Sequence, residues 1–448
     1  MISILLSDFG GKGDNLFDNT DAFKKAFSYL NENNGGRLIV EKGIWKTGPI
    51  ELFSHTELRL EEGAEISFIP EPDRYQPVWT RWEGVECYGM HPCVFSTGQE
   101  DVKITGKGVI NGNGQTWWKW REEKRTQKKP ETAIELKLAS LNPGYENQPG
   151  GGGGRNVQFL RPPLVQFFDC KGVRLEDVTI KDSPFWTVHP VFCDNFSMFR
   201  VKVCNPHNAP NTDGIDIDSC TNVQIIGCDV SVGDDGICLK SGSGPDGIKR
   251  ACPTQYVLVQ DCTVGDGHGG IVIGSETAAG IDHVLTQNCV FNGTDRGIRI
   301  KTRRGRGGNI HHLEFKNLVM KNNLCPFAMN MFYKCGAQPD EPMFSLDKLP
   351  INEATPQIHD IVISNVEATG CKSSAGFMAG LPECPITNLT IENSFFTTDE
   401  NSDASPSLSE MFYSIPDTDK KSFRILFAEK PILNNVTIEG PAETFIYE

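Results

Sequence analysis

Short units in which apolar residues flank a usually polar one recur along the chain from Val102 onward. Clear members of this series are Val173-Arg174-Leu175, Val223-Gln224-Ile225, Val257-Leu258-Val259, Leu313-Glu314-Phe315, Ile361-Val362-Ile363, Leu389-Thr390-Ile391 and Val436-Thr437-Ile438. Alternation with a period of two predicts short strands, and their return every few tens of residues predicts a solenoid. Helical periodicity is nearly absent after residue 31. The pattern therefore favours a parallel β-helix with about three short strands per coil.

A second series of strand-like frames supports the same architecture. Its members are Gly214-Ile215-Asp216-Ile217-Asp218, Gly236-Ile237-Cys238-Leu239-Lys240, Gly270-Ile271-Val272-Ile273-Gly274 and Gly297-Ile298-Arg299-Ile300-Lys301. Equivalent residues on adjacent coils of a β-helix lie ~4.8 Å apart, the spacing of strands in a sheet. We expect the isoleucine and leucine positions to point inward, which leaves the alternate positions on the outer face.

One helix is predicted near the start of the chain. Ala22, Phe23, Ala26, Phe27 and Leu30 recur at helical spacing. Asn19 or Thr20 can cap the helix, and the run Asn33-Asn34-Gly35-Gly36 ends it. The whole chain is predicted to be all-β, a single β-helix domain over 1–448 with a short N-terminal capping helix. Two insertions, at about 121–161 and 336–356, interrupt the repeat.

Composition and charge narrow the possible partners. The net charge of −15 argues against nonspecific nucleic-acid binding, so an acidic ligand would need a local basic patch. The longest apolar runs fall far short of the ~20 residues that a membrane span requires. Met1–Ser7 lacks a basic leader segment. The expectation is a cytoplasmic protein without a membrane partner, or a secreted one if a leader has been removed, and its oligomeric state is open.

The 15 cysteines point to a reducing compartment. Cys228, Cys262 and Cys289 each follow an equivalent apolar residue by five positions, which predicts stacked, buried thiols. No cysteine or histidine spacing typical of zinc occurs, so no metal site is predicted.

Candidate catalytic residues stand directly before the frames. Asp213 and Asp235 precede a frame glycine by one position, whereas Asp234 and His268 precede one by two. If the frames stack as neighbouring strands, these side chains are neighbours in space. Three close carboxylates raise at least one pKa and cost stability. Turn aspartates are common in Asp-Gly pairs, but that explanation accounts for each residue singly and not for the cluster. The register therefore predicts an acid/base site.

Cations and aromatic residues extend this candidate site. Arg299 and Lys301 occupy outward strand positions, where an Arg fork and a Lys point charge suit a carboxylate ligand. The three arginines that follow read more simply as a solvated basic face, namely Arg303, Arg304 and Arg306. Trp186 and His189 each precede a site residue by one coil, and Tyr333 follows Arg299 by about one coil. Trp186 fits core packing as well as sugar stacking.

The motifs Asn211-Thr212-Asp213, Asp234-Asp235, Gly267-His268-Gly269 and Arg299-Ile300-Lys301, in this order, resemble those of the polygalacturonases of glycoside hydrolase family 28. The N-terminal patterns Asp8-Phe9-Gly10 and Thr47-Gly48-Pro49 extend the resemblance to nearly the whole chain. It implies a right-handed parallel β-helix that hydrolyses α-1,4-linked galacturonan with inversion and needs neither metal nor cofactor.

The resemblance also implies roles for individual residues. Asp234 would be the general acid, Asp213 and Asp235 would activate the water, and His268 would support the protonation of the acid. Substrate contacts are predicted for Arg299, Lys301, Asp216, Asn211, His189 and Tyr333. The insertion at 121–161 and the sequence after His268 are most similar to bacterial exo-acting members, which release galacturonate from chain ends.

Alternative functions remain open from the sequence. They are an endo-polygalacturonase, a hydrolase of a decorated galacturonan, a pectate or pectin lyase on the same solenoid, and a non-catalytic β-helix that binds galacturonan. The predicted partner in each of these readings is an acidic oligo- or polysaccharide.

Overall fold

A computed structural model describes residues 2–147, 154–338 and 341–448 of the chain. The glycine-rich part of the first predicted insertion, at 148–153, and residues 339–340 of the second lie outside the described residues.

The chain separates into two compact units. The first unit comprises Met1–Trp82 and Glu86–Asp234, and the second comprises Glu83–Val85 and Asp235–Glu448. Both consist of short parallel strands stacked coil upon coil. The single domain over 1–448 stays a prediction.

The first unit contains three rows of strands, and neighbours within a row are parallel. One row consists of Ser3–Leu5, Gly36–Val40, Thr56–Leu60, Glu100–Gly106, Lys171–Glu176, Asp194–Phe199 and Thr221–Ile226. A second consists of Asp14–Asp18, Gly43–Thr47, Ala64–Phe68, Val109–Asn111, Thr179–Lys181, Lys202–Cys204 and Asp229–Ser231. The third consists of Ile50–Glu51, Val94–Thr97, Val165–Phe168, Val188–Val191 and Ile215–Asp218. Two further strands, Pro77–Trp82 and Val85–Met90, form a small separate sheet.

The second unit repeats this arrangement. One row consists of Thr254–Gln260, Ile281–Gln287, Asn309–Lys321, Gln357–Cys371, Thr387–Thr398 and Ile432–Glu439, and its long members also continue a short row of Thr263–Val264 and Val290–Asn292. The row that carries the site motifs consists of Asp235–Lys240, Gly269–Gly274, Arg296–Lys301, Cys325–Asn330, Gly376–Ala379, Phe423–Leu426 and Phe445–Tyr447. Parallel strands joined by crossovers take the right-handed connection. The predicted right-handed parallel β-helix is confirmed.

Helices lie outside the coils. The α-helices are Thr20–Glu32, Gly114–Glu123, Ala133–Leu141, Gly244–Arg250 and Ser407–Glu410, and the 3-10 turns are Leu6–Phe9, Pro72–Arg74, Lys124–Thr126, Tyr145–Asn147, Arg155–Val157 and Pro342–Phe344. No helix among the described residues is both long enough and apolar enough to span a membrane.

The predicted N-terminal helix is confirmed, with one difference at its start. It runs over Thr20–Glu32 and buries the predicted apolar face. Asn19 occupies the N-cap position, but its side chain donates to the carbonyls of Phe17 and Lys46 instead of capping the helix. The carboxylate of Asp18 accepts from the backbone N–H of Thr20 at 3.0 Å and takes over that role.

The predicted inward register holds in the second unit. Ile237 pairs with Ile271 on the next strand, and Ile271 pairs with Ile298 on the strand after that. All three side chains are fully buried. The frame glycines pack tightly on the coil interior. A Cβ at Gly270 would lie 2.5 Å from Cγ of Phe291, too close for any larger residue. The absence of a side chain at the frame position lets the chain approach the core there.

All 15 cysteines lie among the described residues and are thiols. Cys228, Cys262 and Cys289 are buried, as the five-residue spacing predicts. The first insertion contains helical segments, although helical periodicity is nearly absent from the sequence after residue 31. It contains Ala133–Leu141, where Glu135 is buried and accepts from Lys124 at 2.6 Å.

Candidate active site

Asp235 is the centre of a buried charge cluster in the second unit. Its carboxylate accepts from Nη1 of Arg299 at 2.6 Å and from Nζ of Lys301 at 2.5 Å. The carboxylate is fully buried, and the two cations are nearly so. Strict alternation would place Asp235 on the inner face with Ile237. Its contacts with the outward Arg299 and Lys301 place the carboxylate on the outer face instead.

The electrostatic surroundings keep Asp235 ionised. Burial alone would raise the pKa of this carboxyl, since a charge is poorly solvated away from water. Lys301 and Arg299, with help from Lys240 and His268, outweigh burial and hold the pKa far below its ordinary value. Conversely, the Asp235 carboxylate keeps the pKa of Lys301 above its usual value despite burial and the nearby Arg299.

A second buried carboxylate lies in the same unit. Glu276 accepts from Nζ of Lys240 at 3.2 Å, and Nη1 of Arg306 lies 3.5 Å from its other oxygen. Burial would raise the pKa of Glu276, but Lys240 and Arg306 lower it to about 2. Four cationic side chains therefore lie beside Asp235 and Glu276 in this unit. Clustered Arg and Lys side chains suit recognition of an anionic ligand.

His268 and Tyr333 complete this part of the site. An imidazole nitrogen of His268 lies within 4.8 Å of a carboxylate oxygen of Asp235, and the histidine is half-buried. The ring of Tyr333 lies 5.7 Å from the Arg299 guanidinium and 5.2 Å from Nζ of Lys301. Burial raises the pKa of Tyr333. Tyr333 thus stands beside the two cations, as its position one coil later predicts.

A C-terminal segment packs over the outward positions of these strands. Nε of Arg296 donates to the carbonyl of Ser409, and the amide of Asn330 donates to the carbonyl of Met411 at 3.3 Å. Nη2 of Arg299 lies 2.9 Å from Sδ of Met411. This segment therefore contributes to the burial of the outward Arg299.

In the first unit, Asp213 and Asp234 stand at strand ends. Asp213 is 4% exposed, and its backbone carbonyl accepts from the N–H of Thr187 at 2.9 Å. Asp234 is half-buried and is the last residue of this unit. The side-chain oxygen of Asn211 accepts from Nη2 of Arg161 at 2.9 Å, which fixes the loop ahead of Asp213.

His189 belongs to a buried polar network in the first unit. Its Nδ1 lies 2.8 Å from Nε2 of Gln166, and its Nε2 lies 3.5 Å from a carboxylate oxygen of Asp218. Asp218 also accepts from Nη1 of Arg81 at 2.7 Å. Asp216 is fully buried on the same strand. The predicted substrate contacts Asp216 and His189 therefore lie in a closely packed, charged layer.

The comparisons with known proteins agree with this fold and chemistry. The family profile described as "Glycosyl hydrolases family 28" matches residues 151–405. A curated relative from Vitis vinifera, described as "Probable polygalacturonase", is 30% identical over 401 residues, which are 87% of this chain and 73% of the relative. The chain belongs to glycosyl hydrolase family 28.

Two bacterial proteins extend the comparison. The crystal structure of a hyperthermoactive exopolygalacturonase from Thermotoga maritima is 31% identical, covers 97% of this chain and 92% of its own, and superposes with a TM-score of 0.78. An exo-poly-alpha-D-galacturonosidase from Dickeya chrysanthemi is 27% identical over 342 residues, which are 71% of this chain and 55% of that protein. This family 28 chain is therefore a glycoside hydrolase of the polygalacturonase type.

Sequence reasoning misjudged the arginines that follow Lys301 in this family 28 chain. The solvated basic face expected for them is wrong, because all three are at most 7% exposed. Arg304 forms a two-pronged pair with Glu383 at 2.6 and 2.8 Å, and Arg303 donates to the carbonyl of Tyr333 at 3.1 Å. These arginines hold distant segments of the chain in place.

Other residues gave no signal in the sequence. Arg81 and Gln166 enter the His189 network from segments without a recognisable motif. Trp186 is buried, stacks on Phe185 at 5.2 Å and meets the His189 ring edge-on at 4.8 Å, so core packing describes it best.

Proposed function

We propose that this polygalacturonase releases galacturonate from the ends of galacturonan or oligogalacturonides by inverting hydrolysis of α-1,4 linkages. The observation that carries the proposal is the ionised Asp235 carboxylate between Arg299 and Lys301. It combines a base with cations that fit an acidic sugar.

The proposed chemistry divides the carboxylates by environment. An inverting hydrolase needs one carboxylic acid to protonate the leaving oxygen and a carboxylate to activate water. Asp235 suits the second role, because its pKa is held low and it stays ready to accept a proton. We assign Asp213 to the same water and Asp234 to the acid. His268 is assigned to support the protonation of Asp234.

The proposed substrate contacts follow from the two cations beside Asp235. A galacturonate carboxylate entering there can accept hydrogen bonds from Lys301 and Arg299, since an ammonium and a guanidinium each carry several donors. Tyr333 offers an aromatic surface next to them. Asn211, Asp216 and His189 are proposed to act on the first-unit side, by shaping and orienting the layer next to Asp213.

Exo action is supported by two observations. The similar structure from Thermotoga maritima is titled an exopolygalacturonase. In addition, the segment around Met411 covers the outward face beside Arg299. A covered end limits how far a polymer can extend past the bound residue, which favours cleavage near a chain end.

The Asp234→Asn variant tests the mechanism. Loss of a general acid typically costs about 10²–10⁴-fold in rate, so turnover on polygalacturonate is expected to fall by about that factor with an unchanged melting temperature. The matched control is Asp229→Asn, which alters an exposed aspartate at the start of the strand Asp229–Ser231. Full activity of the Asp234 variant would refute the assignment.

A product-sizing time course tests exo action. Galacturonate monomer from the earliest time points is expected, whereas a ladder of oligomers would establish an endo enzyme. Substrates carrying xylose or methyl esters would reveal a preference for decorated galacturonan. Growth of ultraviolet absorbance that a chelator abolishes would indicate a lyase. Binding without new reducing ends would indicate a non-catalytic protein.

We further propose a cytoplasmic location with oligogalacturonides as substrates. The buried thiols support a reducing compartment, where disulfides are rare. Cell fractionation with an activity assay tests this, and activity confined to the medium would contradict it.

A further inference from the structure

Four of the nine histidines gather on the outer side of three neighbouring coils in the second unit. They belong to a repeated pattern in which an isoleucine is followed by two acidic or imidazole residues: Ile281-Asp282-His283, Ile310-His311-His312 and Ile358-His359-Asp360. The strand register aligns Ile281 with Ile310 and Ile310 with Ile358. The repeat therefore places potential metal ligands above one another, on a different row of strands from Asp235.

Three imidazole nitrogens converge on the carboxylate of Asp282. Nδ1 of His283 lies 2.7 Å from Oδ2, whereas Nδ1 of His311 and Nδ1 of His312 lie 3.1 and 3.2 Å from Oδ1. The rings of His283 and His312 stack at 4.8 Å with an angle of 18° between them. One coil further along, His359 is paired with Asp360 at 2.8 Å.

Hydrogen bonds alone do not satisfy the nitrogen and oxygen atoms that meet at Asp282. Nδ1 of His311 lies only 2.5 Å from Nδ1 of His312. One of these nitrogens can donate to the other, but the nitrogen that carries no proton then turns its lone pair toward Oδ1 of Asp282 as well, because a neutral imidazole offers one donor and one acceptor. A single cation that accepts several lone pairs would satisfy these groups together.

We propose that Asp282, His283 and His312, assisted by His311, bind a divalent transition-metal cation of the zinc type. Imidazole and carboxylate ligands suit Zn²⁺ and its neighbours in the first transition row. The three principal ligands have donor atoms within 4.8 Å of one another. Ligands in a tetrahedral zinc site stand roughly 3.3 Å apart, so small side-chain rotations suffice.

The surroundings are compatible with entry of a cation and with a water as a further ligand. The side chains of His283 and His312 are 48% and 53% exposed. They line an open groove that also contains Glu314 and Asp360, and the Tyr256 ring lies 5.1 Å from that of His283. A bound cation would link two successive coils and stabilise the outer edge of the solenoid, independently of the proposed hydrolysis.

Conservative variants can separate metal binding from folding. His283 and His312 both have positive φ, at 51°, as does Asn388 at the same register further along, at 50°. Asparagine tolerates this left-handed conformation but is a poor zinc ligand. His283→Asn and His312→Asn should therefore preserve the turns while removing imidazole ligands. His207→Asn, at an exposed histidine away from the cluster, is the control.

The experiment uses the full chain without an affinity tag, freed of metals by a chelator and titrated near neutral pH with Zn²⁺ by calorimetry and with Co²⁺ by visible absorption. We expect one equivalent of each ion to bind, a rise in melting temperature with Zn²⁺, and at least tenfold weaker binding in each single variant. The control should bind as wild type. Binding should also weaken in acid, because protons compete with the cation for the imidazole lone pairs.

Two results would overturn the proposal. One is the lack of saturable binding of either ion to the wild-type chain, and the other is unchanged binding in the double variant. Hydrolysis of polygalacturonate provides a separate readout, because the variants should retain wild-type turnover. Failure of the metal site would leave the proposed hydrolysis untouched, and an inactive wild-type enzyme would leave the metal titration interpretable.

Discussion

The basic run from Arg296 to Arg306 contains two regions with opposite uses for the same type of side chain. In the strand, Arg299 and Lys301 both contact the carboxylate of Asp235, the proposed catalytic base. In the turn that follows, Arg304 pairs with Glu383 and donates to several backbone carbonyls, none of which has a proposed catalytic role. Burial alone does not distinguish a binding site from a structural anchor, whereas the identity of the partner does.

In the strand region of the basic run, removal of a cation should reduce catalytic activity. Arg299→Met is expected to lower kcat/KM on polygalacturonate by about 100-fold, which corresponds to about 3 kcal/mol of lost interaction with a charged ligand. Its melting temperature should change little, because Lys301 still neutralises Asp235. Steady-state kinetics and thermal unfolding measure the two effects. Wild-type kcat/KM in this variant would remove Arg299 from the substrate site.

In the turn region, removal of a cation should instead lower the free energy of unfolding. Arg304→Met leaves the buried carboxylate of Glu383 without its partner, and loss of one member of a buried pair costs about 3 kcal/mol or more. Chemical denaturation measures this cost. The kcat/KM of the folded fraction is expected to stay within about threefold of wild type, a change in activation free energy of less than about 1 kcal/mol.

Lys316→Met is the matched control for the turn variant, because it removes a half-buried cation that is paired only loosely with the exposed Glu314, at 3.6 Å. Surface pairs contribute at most about 1 kcal/mol. If Arg304→Met were less active per folded molecule than Arg299→Met, the division of the basic run would fail.

The smallest predicted effect is on the pH dependence of stability. Burial would raise the pKa of Glu383, but Arg304 lowers it below the ordinary value of 4.5. The unfolded chain then binds more protons than the folded chain in this range, so the stability that the pair contributes is present above about pH 4.5 and is lost as the pH falls. The stability difference between wild type and Glu383→Gln should shrink in acid. A difference independent of pH would contradict the pairing.

Much of the fold was predictable because its determinants are local and repeated. The frames with Ile237, Ile271 and Ile298 give the strand register directly, since each coil must bury the same face. The helix over Thr20–Glu32 followed from its apolar spacing. The helices of the first insertion were missed, because that insertion does not share the periodicity of the coils.

The candidate site was predictable where it follows the repeat. The strand register brings Arg299 and Lys301 to the carboxylate of Asp235, and Tyr333 lies beside the two cations one coil later. The repeat could not reveal the cover over these positions, because Met411 comes from a distant segment. Arg81 reaches Asp218 across more than a hundred residues, so no local pattern announces it.

The sequence by itself determined the repeat, the direction of its side chains and the family, because short-period patterns and motif order are properties of neighbouring residues. Only the tertiary structure decided which partners each charged side chain meets. That outcome depends on partners such as Glu383 for Arg304, on burial by remote segments, and on the coils that set His283 beside His312. Electrostatic energy depends on distance and solvent exposure, and neither can be read from position along the chain.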